Sequence, residues 1–133
     1  MPSYDQIKAL RDLLINDATV ISYVNANDIT VGWVREVVDF PSIIITNAGG
    51  ISRGYIGNKN TSSGNRVATE TLVIQIDIVS RTSVKNTYDI ADAISDVLLA
   101  NGYSKSSDND FYVDDFEAYR KVMIWNITRG YDF

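Results

Sequence analysis

Acidic side chains provide the first candidate chemical site in the sequence, at Asp89, Asp92 and Asp96. These residues lie three and four positions apart, so a helix would place their carboxylates on one face. Three carboxylates on one face are suitable oxygen ligands for Mg²⁺ or Ca²⁺. Exposed helices often carry such runs, however, and no further oxygen ligand is tied to these three by spacing. We therefore expect a solvated or partner-facing surface there, with metal binding as the alternative.

A second acidic group consists of Asp114, Asp115 and Glu117. Neighbouring carboxylates can divide the roles of general acid and general base between them. No residue close to them in the sequence marks a nucleophile or an activated base, so the group has little specificity. A turn at the end of a strand explains it better than a catalytic site.

The composition argues against catalysis more broadly. The 133 residues include no histidine and no cysteine, which excludes Ser–His and Cys–His nucleophiles, disulfides, and metal sites built on those residues. The net charge of −5 and the pI of about 4.5 argue against a surface that binds nucleic acid broadly. We expect neither an enzyme nor a protein with a bound cofactor or metal.

A basic, glycine-rich segment at residues 47–67 is the strongest candidate for a contact site. Its charged residues are Arg53, Lys59 and Arg66, and without these three the rest of the chain carries −8. We predict a long flexible loop whose three basic residues contact an acidic neighbour, such as another copy of this chain. These residues are our predicted interface.

Other interpretations of the same segment remain open. It contains neither GxxxxGK[ST] nor GxGxxG, and it precedes a strand rather than a helix, so a phosphate-binding loop is not indicated. One alternative is a hairpin with Ile51, Tyr55 and Ile56 on one arm. Another is a mobile surface loop without a partner.

The elements that must position these residues centre on a strand followed at once by a helix. Alternate aliphatic residues predict the strand within 68–81, and the members that share one face are Leu72, Ile74, Ile76 and Ile78. Val73 and Val79 make the other face partly apolar, which predicts that a second sheet or another chain also covers it.

The helix is predicted from Val84 to Ala100 by apolar residues at spacings of three and four, namely Tyr88, Ala91, Ile94, Val97 and Leu98. Thr82 or Ser83 can cap its start, and Asn101-Gly102 can end it. We expect this helix to pack on the aliphatic face of the strand.

The remaining elements follow from the same patterns. Helices are expected over 3–16 and over 17–24 with Asp17 as the cap; strands are expected over 29–38, 42–46, 111–116 and 119–128. A polar turn is expected over 103–110 and a less ordered or partner-bound tail over 129–133. Core or interface positions are expected for the aromatic residues Trp33, Tyr119, Trp125 and Tyr131.

These elements predict one α+β domain over residues 1–133. Its sheet is mixed or antiparallel, with about four to five strands, and two main helices pack on one face. No apolar run approaches the roughly 20 residues of a transmembrane helix. The first residues lack the apolar core of a signal peptide, so we expect no contact with a membrane.

The order of elements resembles that of the tail terminator, or tail completion, proteins of long-tailed phages and related viruses. The resemblance is carried by the helix IKALRDLLIND, the phrase FPSIIIT at 40–46, the strand VIQIDIVSR leading into NTYDIADAISDVLLANG, and the closing strand YRKVMIWNIT. It covers nearly the whole chain through pattern rather than through one motif.

The resemblance implies a small α+β subunit that forms a ring, usually a hexamer, at the head-proximal end of the tail tube. Such a ring stops polymerisation of the tube protein, meets the head connector or stopper protein, and lets genome DNA pass through its lumen without specific binding. The expected location is the tail or neck of a virion assembled in the host cytoplasm. The family has no catalytic residues to transfer to this chain.

Two other function classes are compatible with the same sequence. A head-completion or connector protein of the same neck, acting as stopper or adaptor, would share the ring and the lumen. A small-ligand-binding domain is the third possibility, although no polar constellation in the sequence supports it. Binding to the tail tube, to the connector, or to a small molecule would separate the three.

Overall fold

The three-dimensional structure is a computed structural model that describes residues 3–32, 40–47, 52–56, 67–114 and 117–132. The helices are α1 (Ser3–Ile15), α2 (Ala18–Tyr23) and α3 (Val84–Ala100), with a short 3₁₀ turn at Ala26–Asp28. The strands are β1 (Ile29–Val31), β2 (Ser42–Asn47), β3 (Ser52–Ile56), β4 (Val67–Ser80), β5 (Ser104–Val113) and β6 (Ala118–Asp132). The order of elements confirms the α+β prediction.

One mixed sheet holds all of these strands. Five lie side by side in the order β1-β2-β4-β6-β5, and β3 pairs with β4 beyond the end of β2. The β1–β2 pair is parallel and the other pairs are antiparallel. The centre of the sheet is the β4–β6 ladder, which runs from the Val67–Asp132 pair to the Ser80–Tyr119 pair.

The core lies between this sheet and the helices. From β4, the residues that are buried there are Leu72, Ile74, Ile76 and Ile78; from α3 they are Ile90, Ala91, Ala93, Ile94 and Leu98. Leu10 and Leu14 of α1 and the completely buried Trp125 of β6 belong to the same cluster. Burial of so many aliphatic side chains drives folding, and it confirms that α3 packs on the predicted face of β4.

Local signals place both ends of α3 as expected. Ser83 accepts a hydrogen bond from the backbone N–H of Asn86 and caps the first turn. Gly102 has φ +87°, a left-handed conformation that glycine adopts without a side-chain clash, and it follows the last helical turn. Asp17 caps α2 in the predicted way, through the backbone N–H groups of Thr19 and Val20.

The inward face of α3 differs from the prediction at Tyr88. That residue is 44% exposed, whereas Thr87 and Ile90 are buried in its place. The sequence offers two overlapping stripes, and the structure uses the one that turns Ile90 and Ala93 inward. The prediction that Tyr88 faces the core was wrong because a tyrosine can satisfy both its ring and its hydroxyl at the edge of the sheet.

Residues 103–110 are not a polar turn. From Ser104 onward they belong to β5, which continues to Val113 and pairs with β6. An exposed edge strand does not need alternating apolar residues, because backbone hydrogen bonds to its neighbour hold it. Polarity alone therefore led to the wrong prediction here.

The ends of the long strands also differ from expectation. Within the predicted tail at 129–133, residues 129–132 are the last part of β6 and pair with residues 67–70 of β4, whereas residue 133 lies outside the described residues. Within the predicted loop at 47–67, residues 52–56 form β3 and pair with residues 67–71, as in the hairpin alternative. The extension of β4 beyond β2 leaves backbone groups that β3 can pair with. Residues 57–66, and most of the strand predicted at 29–38, lie outside the described residues.

Candidate interaction surface

The predicted basic interface is only partly described by the structure. Arg53 lies on β3 opposite Glu70 of β4, and Glu70 in turn lies opposite Arg129 of β6. Lys59 and Arg66 lie outside the described residues. The predicted role of the three in an interface therefore stays a prediction.

The carboxylates of α3 form no metal site in the described part of the chain. Asp92 and Asp96 are exposed, and Asp89 forms an ion pair with Lys85 at 2.9 Å, one helical turn away. No group of three or more acidic residues suited to a metal ion occurs among the described residues. Asp92 and Asp96 lie on the exposed surface of the helix, which agrees with the solvated or partner-facing surface expected from the sequence.

The second acidic group lies in the turn between β5 and β6. Asp114 and Glu117 are both exposed, and the backbone N–H of Glu117 donates to the carbonyl oxygen of Asp114 at 3.2 Å. Glu117 has φ +51°, a left-handed conformation found in tight turns. Asp115 lies outside the described residues. The turn interpretation of this group is confirmed for the two described carboxylates.

A buried lysine organises the adjoining part of the sheet. The side chain of Lys121 is 3% exposed, and its Nζ lies 2.6 Å from Asp108 and 3.1 Å from Asp110. The same Nζ lies 3.8 Å from the centre of the Tyr88 ring, in a cation–π contact. Tyr88 Oη donates to Asp110 at 2.5 Å. These contacts fasten the first half of α3 to β5 and β6.

The pKa values in this group reflect its compensating charges. Burial by itself lowers the pKa of Lys121, but hydrogen bonds to Asp108 and Asp110 outweigh it and raise the pKa above its ordinary value. The hydrogen bond from Tyr88, with help from Lys121, lowers the pKa of Asp110. For Asp108, burial acts upward, and hydrogen bonds from Lys121 and Lys105 bring the net pKa below normal. All three groups are therefore held in their charged forms, as structural ion pairs require.

Aromatic side chains stand on the surface directly beside this group. Tyr112 is 54% exposed, and its ring meets that of Tyr119 edge-on at 5.4 Å. Tyr88 and Val84, one turn apart at the start of α3, are 44% and 43% exposed. We call Val84, Tyr88, Tyr112 and Tyr119 the tyrosine patch. Tyrosine offers a large apolar ring and a polar tip at low entropic cost, and it is enriched at protein interfaces.

Sequence reasoning missed the tyrosine patch, although one signal for it was present. Tyr112 and Tyr119 are equally distant from the centre of the 114–117 turn, so a hairpin register would place them opposite each other. The contribution of Tyr88 had no comparable signal, because it depends on how α3 is rotated over the sheet.

The backbone next to the tyrosine patch is also available for contacts. β5 is the last strand in the sheet order and pairs only with β6 among the described strands. Its outer edge therefore presents unpaired backbone donors and acceptors over up to 10 residues. A bulge between Lys105 and Ser107 interrupts its ladder near the start, which leaves the regular part of this edge beside the tyrosine patch.

The face of the sheet that points away from the core has a mixed character. Ile44, Val73, Val122 and Ile124 are only half-buried there. Among them lies a polar group in which Arg120 binds Asp77 at 2.6 Å and Gln75 donates to the same carboxylate at 2.8 Å. We call this surface the second face. Its partly apolar character is suited to partial coverage by another element or another chain.

No helix in the described residues has the length and apolar character needed to cross a membrane.

Comparison with known proteins identifies a shared fold but does not assign the chain to a family. The sequence matches no known protein family and no curated protein. Among solved structures, a chain of the structure titled "Virion of native gene transfer agent (GTA) particle" has a TM-score of 0.65 to this one. The likeness covers 92% of both chains at 13% sequence identity. It shows that this chain shares its fold with a chain in that virion.

Proposed function

We propose that this chain is a structural protein of a phage-like virion, a tail terminator that forms a ring at the head-proximal end of the tail tube. The observation that carries the proposal is the fold shared with a chain of a gene transfer agent virion over 92% of both chains. The order and pattern of elements, which resemble the tail terminator proteins, agree with it.

The mechanism we propose is assembly rather than catalysis. Copies contact one another through unlike surfaces and close into a ring, usually of six, because heterologous contacts form a ring when the rotation closes. One face of the ring matches the last layer of tail tube protein, and the other face does not continue it. Growth of the tube therefore stops, and the second face is left for the head connector or stopper protein.

The net charge of −5 supports the proposed passage of DNA. Binding of DNA requires cations that neutralise its phosphates, so a ring of acidic subunits would let the genome slide through without specific binding. The ring would then act in the neck of the virion after assembly in the host cytoplasm.

We further propose that the chain has no enzymatic activity, cofactor or metal. In support, the described carboxylates with lowered pKa values, Asp108 and Asp110, are engaged by Lys121. An acid or base engaged in this way is poorly suited to exchange protons near neutral pH.

The experiment that tests the ring is light scattering of the purified protein over a concentration series, alone and with tail tubes. A closed hexamer, or a monomer that forms a ring only on tube ends, is the expected result. Binding to connector complexes but not to tubes would instead indicate a head-completion protein. A monomer that ignores both at every concentration would contradict the proposal.

The predicted interface is tested by charge reversal at Arg53, Lys59 and Arg66 together. We expect loss of ring formation and of tail joining, because the attraction to an acidic neighbour becomes repulsion. Rings and joined tails that form normally with this variant would show that these residues are not interface residues.

A further inference from the structure

The two ends of the β4–β6 ladder differ in charge. At the end marked by the Val67–Asp132 pair, the chain enters β4 from residues 48–69, which contain Arg53, Lys59 and Arg66 and no acidic residue. Glu70 and Arg129 are opposite each other on one rung, and Asp132 ends β6, so residues 48–70 and 129–132 together carry a net charge of +2. This end is basic.

The opposite end of the ladder is acidic. Beyond the Ser80–Tyr119 pair, β6 connects through the turn to β5, and residues 104–117 carry a net charge of −4. Lys121 compensates Asp108 and Asp110, whereas Asp114 and Glu117 form no ion pair with another described residue and are exposed. The tyrosine patch lies at this acidic end.

The two ends cannot meet within one copy of the chain. β4 has 14 residues, and at about 3.4 Å per residue the two end pairs of the ladder are roughly 44 Å apart. Arg53 lies on β3, which pairs with residues 67–71, so its backbone is far from the acidic turn of its own copy. A second copy placed head to tail brings the unlike ends together.

The surface at the acidic end is chemically suited to basic side chains. Arginine and lysine bind to the faces of tyrosine rings and pair with carboxylates, and Lys121 already does both inside this protein, with Tyr88 and with Asp108 and Asp110. Tyr112 presents a similar ring next to Asp114 without a cation among the described residues.

We propose that the tyrosine patch, with Asp114 and Glu117, is the docking surface for the basic segment 48–69 of a second copy of this chain. The contact is heterologous, because one end of each copy binds the unlike end of the next. It specifies the subunit contact of the ring proposed above and rests on that proposal for closure. The contact is measured in solution where the wild type associates by itself, and on tube ends where the wild type forms rings only there.

The test uses two full-length variants, and in each of them substitutions disable the contact surface at one end of the chain's β4–β6 ladder. The patch variant carries Tyr112→Ala with Asp114→Lys, both at exposed positions. The basic-end variant carries Lys59→Glu with Arg66→Glu. We expect each variant alone to have a dissociation constant for self-association raised about tenfold or more, as for loss of a central interface contact.

Mixing the two variants tests the head-to-tail geometry. Each pair retains one intact patch and one intact basic segment, so an equimolar mixture should form dimers of one patch variant and one basic-end variant. Those dimers should not grow further, because both of their outer ends are defective. Sedimentation velocity measures the masses of wild type, each variant and the mixture.

A matched control carries Asp96→Lys with Leu99→Ala. It has the same charge change and a similar apolar truncation, at exposed positions of α3 outside the tyrosine patch. We expect it to associate like wild type. Thermal melts of all variants check that the substitutions leave the fold intact.

Several results would overturn the inference. Normal oligomers of the patch variant would do so, and so would growth of the mixture beyond dimers. If the patch variant forms rings but no longer joins tubes or connectors, the patch binds a different virion protein, and the proposed function survives without this contact. Wild-type protein that stays monomeric with and without tubes would contradict the proposed function as well.

Discussion

The two faces of the β4–β6 pair differ in burial, although the residues that form them alternate along the same strands. On the core face, Ile74 and Ile76 are completely buried beneath the helices. On the second face, Val73 next to Ile74 is only half-buried, and Asp77 is held by Arg120 and Gln75. The comparison teaches that residues of similar size one position apart can have very different effects, because the pleat sends them to opposite sides.

The largest effect is expected on the core face. Ile74→Ala should lower the free energy of unfolding by about 3 kcal/mol, since it removes buried methylene and methyl groups and leaves a cavity. Urea denaturation monitored by tryptophan fluorescence measures the change. A loss no greater than that of Val73→Ala would contradict the assignment of the two faces.

The next largest effect is expected for Lys121, which lies at the end of the core face with Asp108 and Asp110. Lys121→Met should cost about 2 kcal/mol near neutral pH, because Asp110 loses its cation and Asp108 keeps only Lys105, while both remain partly solvated. Unfolding free energies of wild type and variant measure the cost.

The pH dependence of this effect has a definite sign. The pKa values of Asp108 and Asp110 are lowered by folding, so their contribution is complete above the unfolded value of about 3.9 and is lost as pH falls through the folded values. The raised pKa of Lys121 maintains its contribution below about 10.4, with loss only as pH rises through the folded value. The difference between wild type and Lys121→Met should therefore shrink as pH falls below about 3.9. A constant difference would exclude the ion pairs as its cause.

A smaller effect is expected for the polar group of the second face. Arg120→Met should cost about 1.5 kcal/mol, because Asp77 loses a charged hydrogen-bond partner but keeps Gln75. The double variant with Asp77→Asn is the control, and it should lose less than the single variant since no unpaired charge is left behind. A loss in the double variant equal to the sum of the losses for Arg120→Met and Asp77→Asn alone would show that the pair is not coupled.

The smallest effect is expected at Val73 on the second face. Val73→Ala should cost less than about 1 kcal/mol in the isolated chain, because the side chain is already partly in water. Thermal melts measure it beside Ile74→Ala. A loss comparable to that of Ile74→Ala would mean that the second face is covered within the monomer.

Sequence patterns were sufficient where one strong local signal acts. The alternation of Leu72, Ile74, Ile76 and Ile78 predicted both the strand and its buried face. Sequence patterns were insufficient at β5, because an exposed edge strand has no required pattern and the polar residues 104–110 are also typical of a turn. The tyrosine patch was missed for a related reason, since its members come from α3, β5 and β6 and become neighbours only after packing.

The sequence by itself determined the elements whose signals act within a few residues. Ser83 and Asp17 cap helices through their own neighbouring backbone, and the β4 alternation needs only the period of the pleat. Tertiary structure alone decided which α3 stripe turns inward, that residues 104–110 extend along β6, and that β3 completes the edge of β4. Those outcomes depend on hydrogen bonds and packing between residues far apart in the chain, and no local pattern specifies which partner a strand or helix will meet.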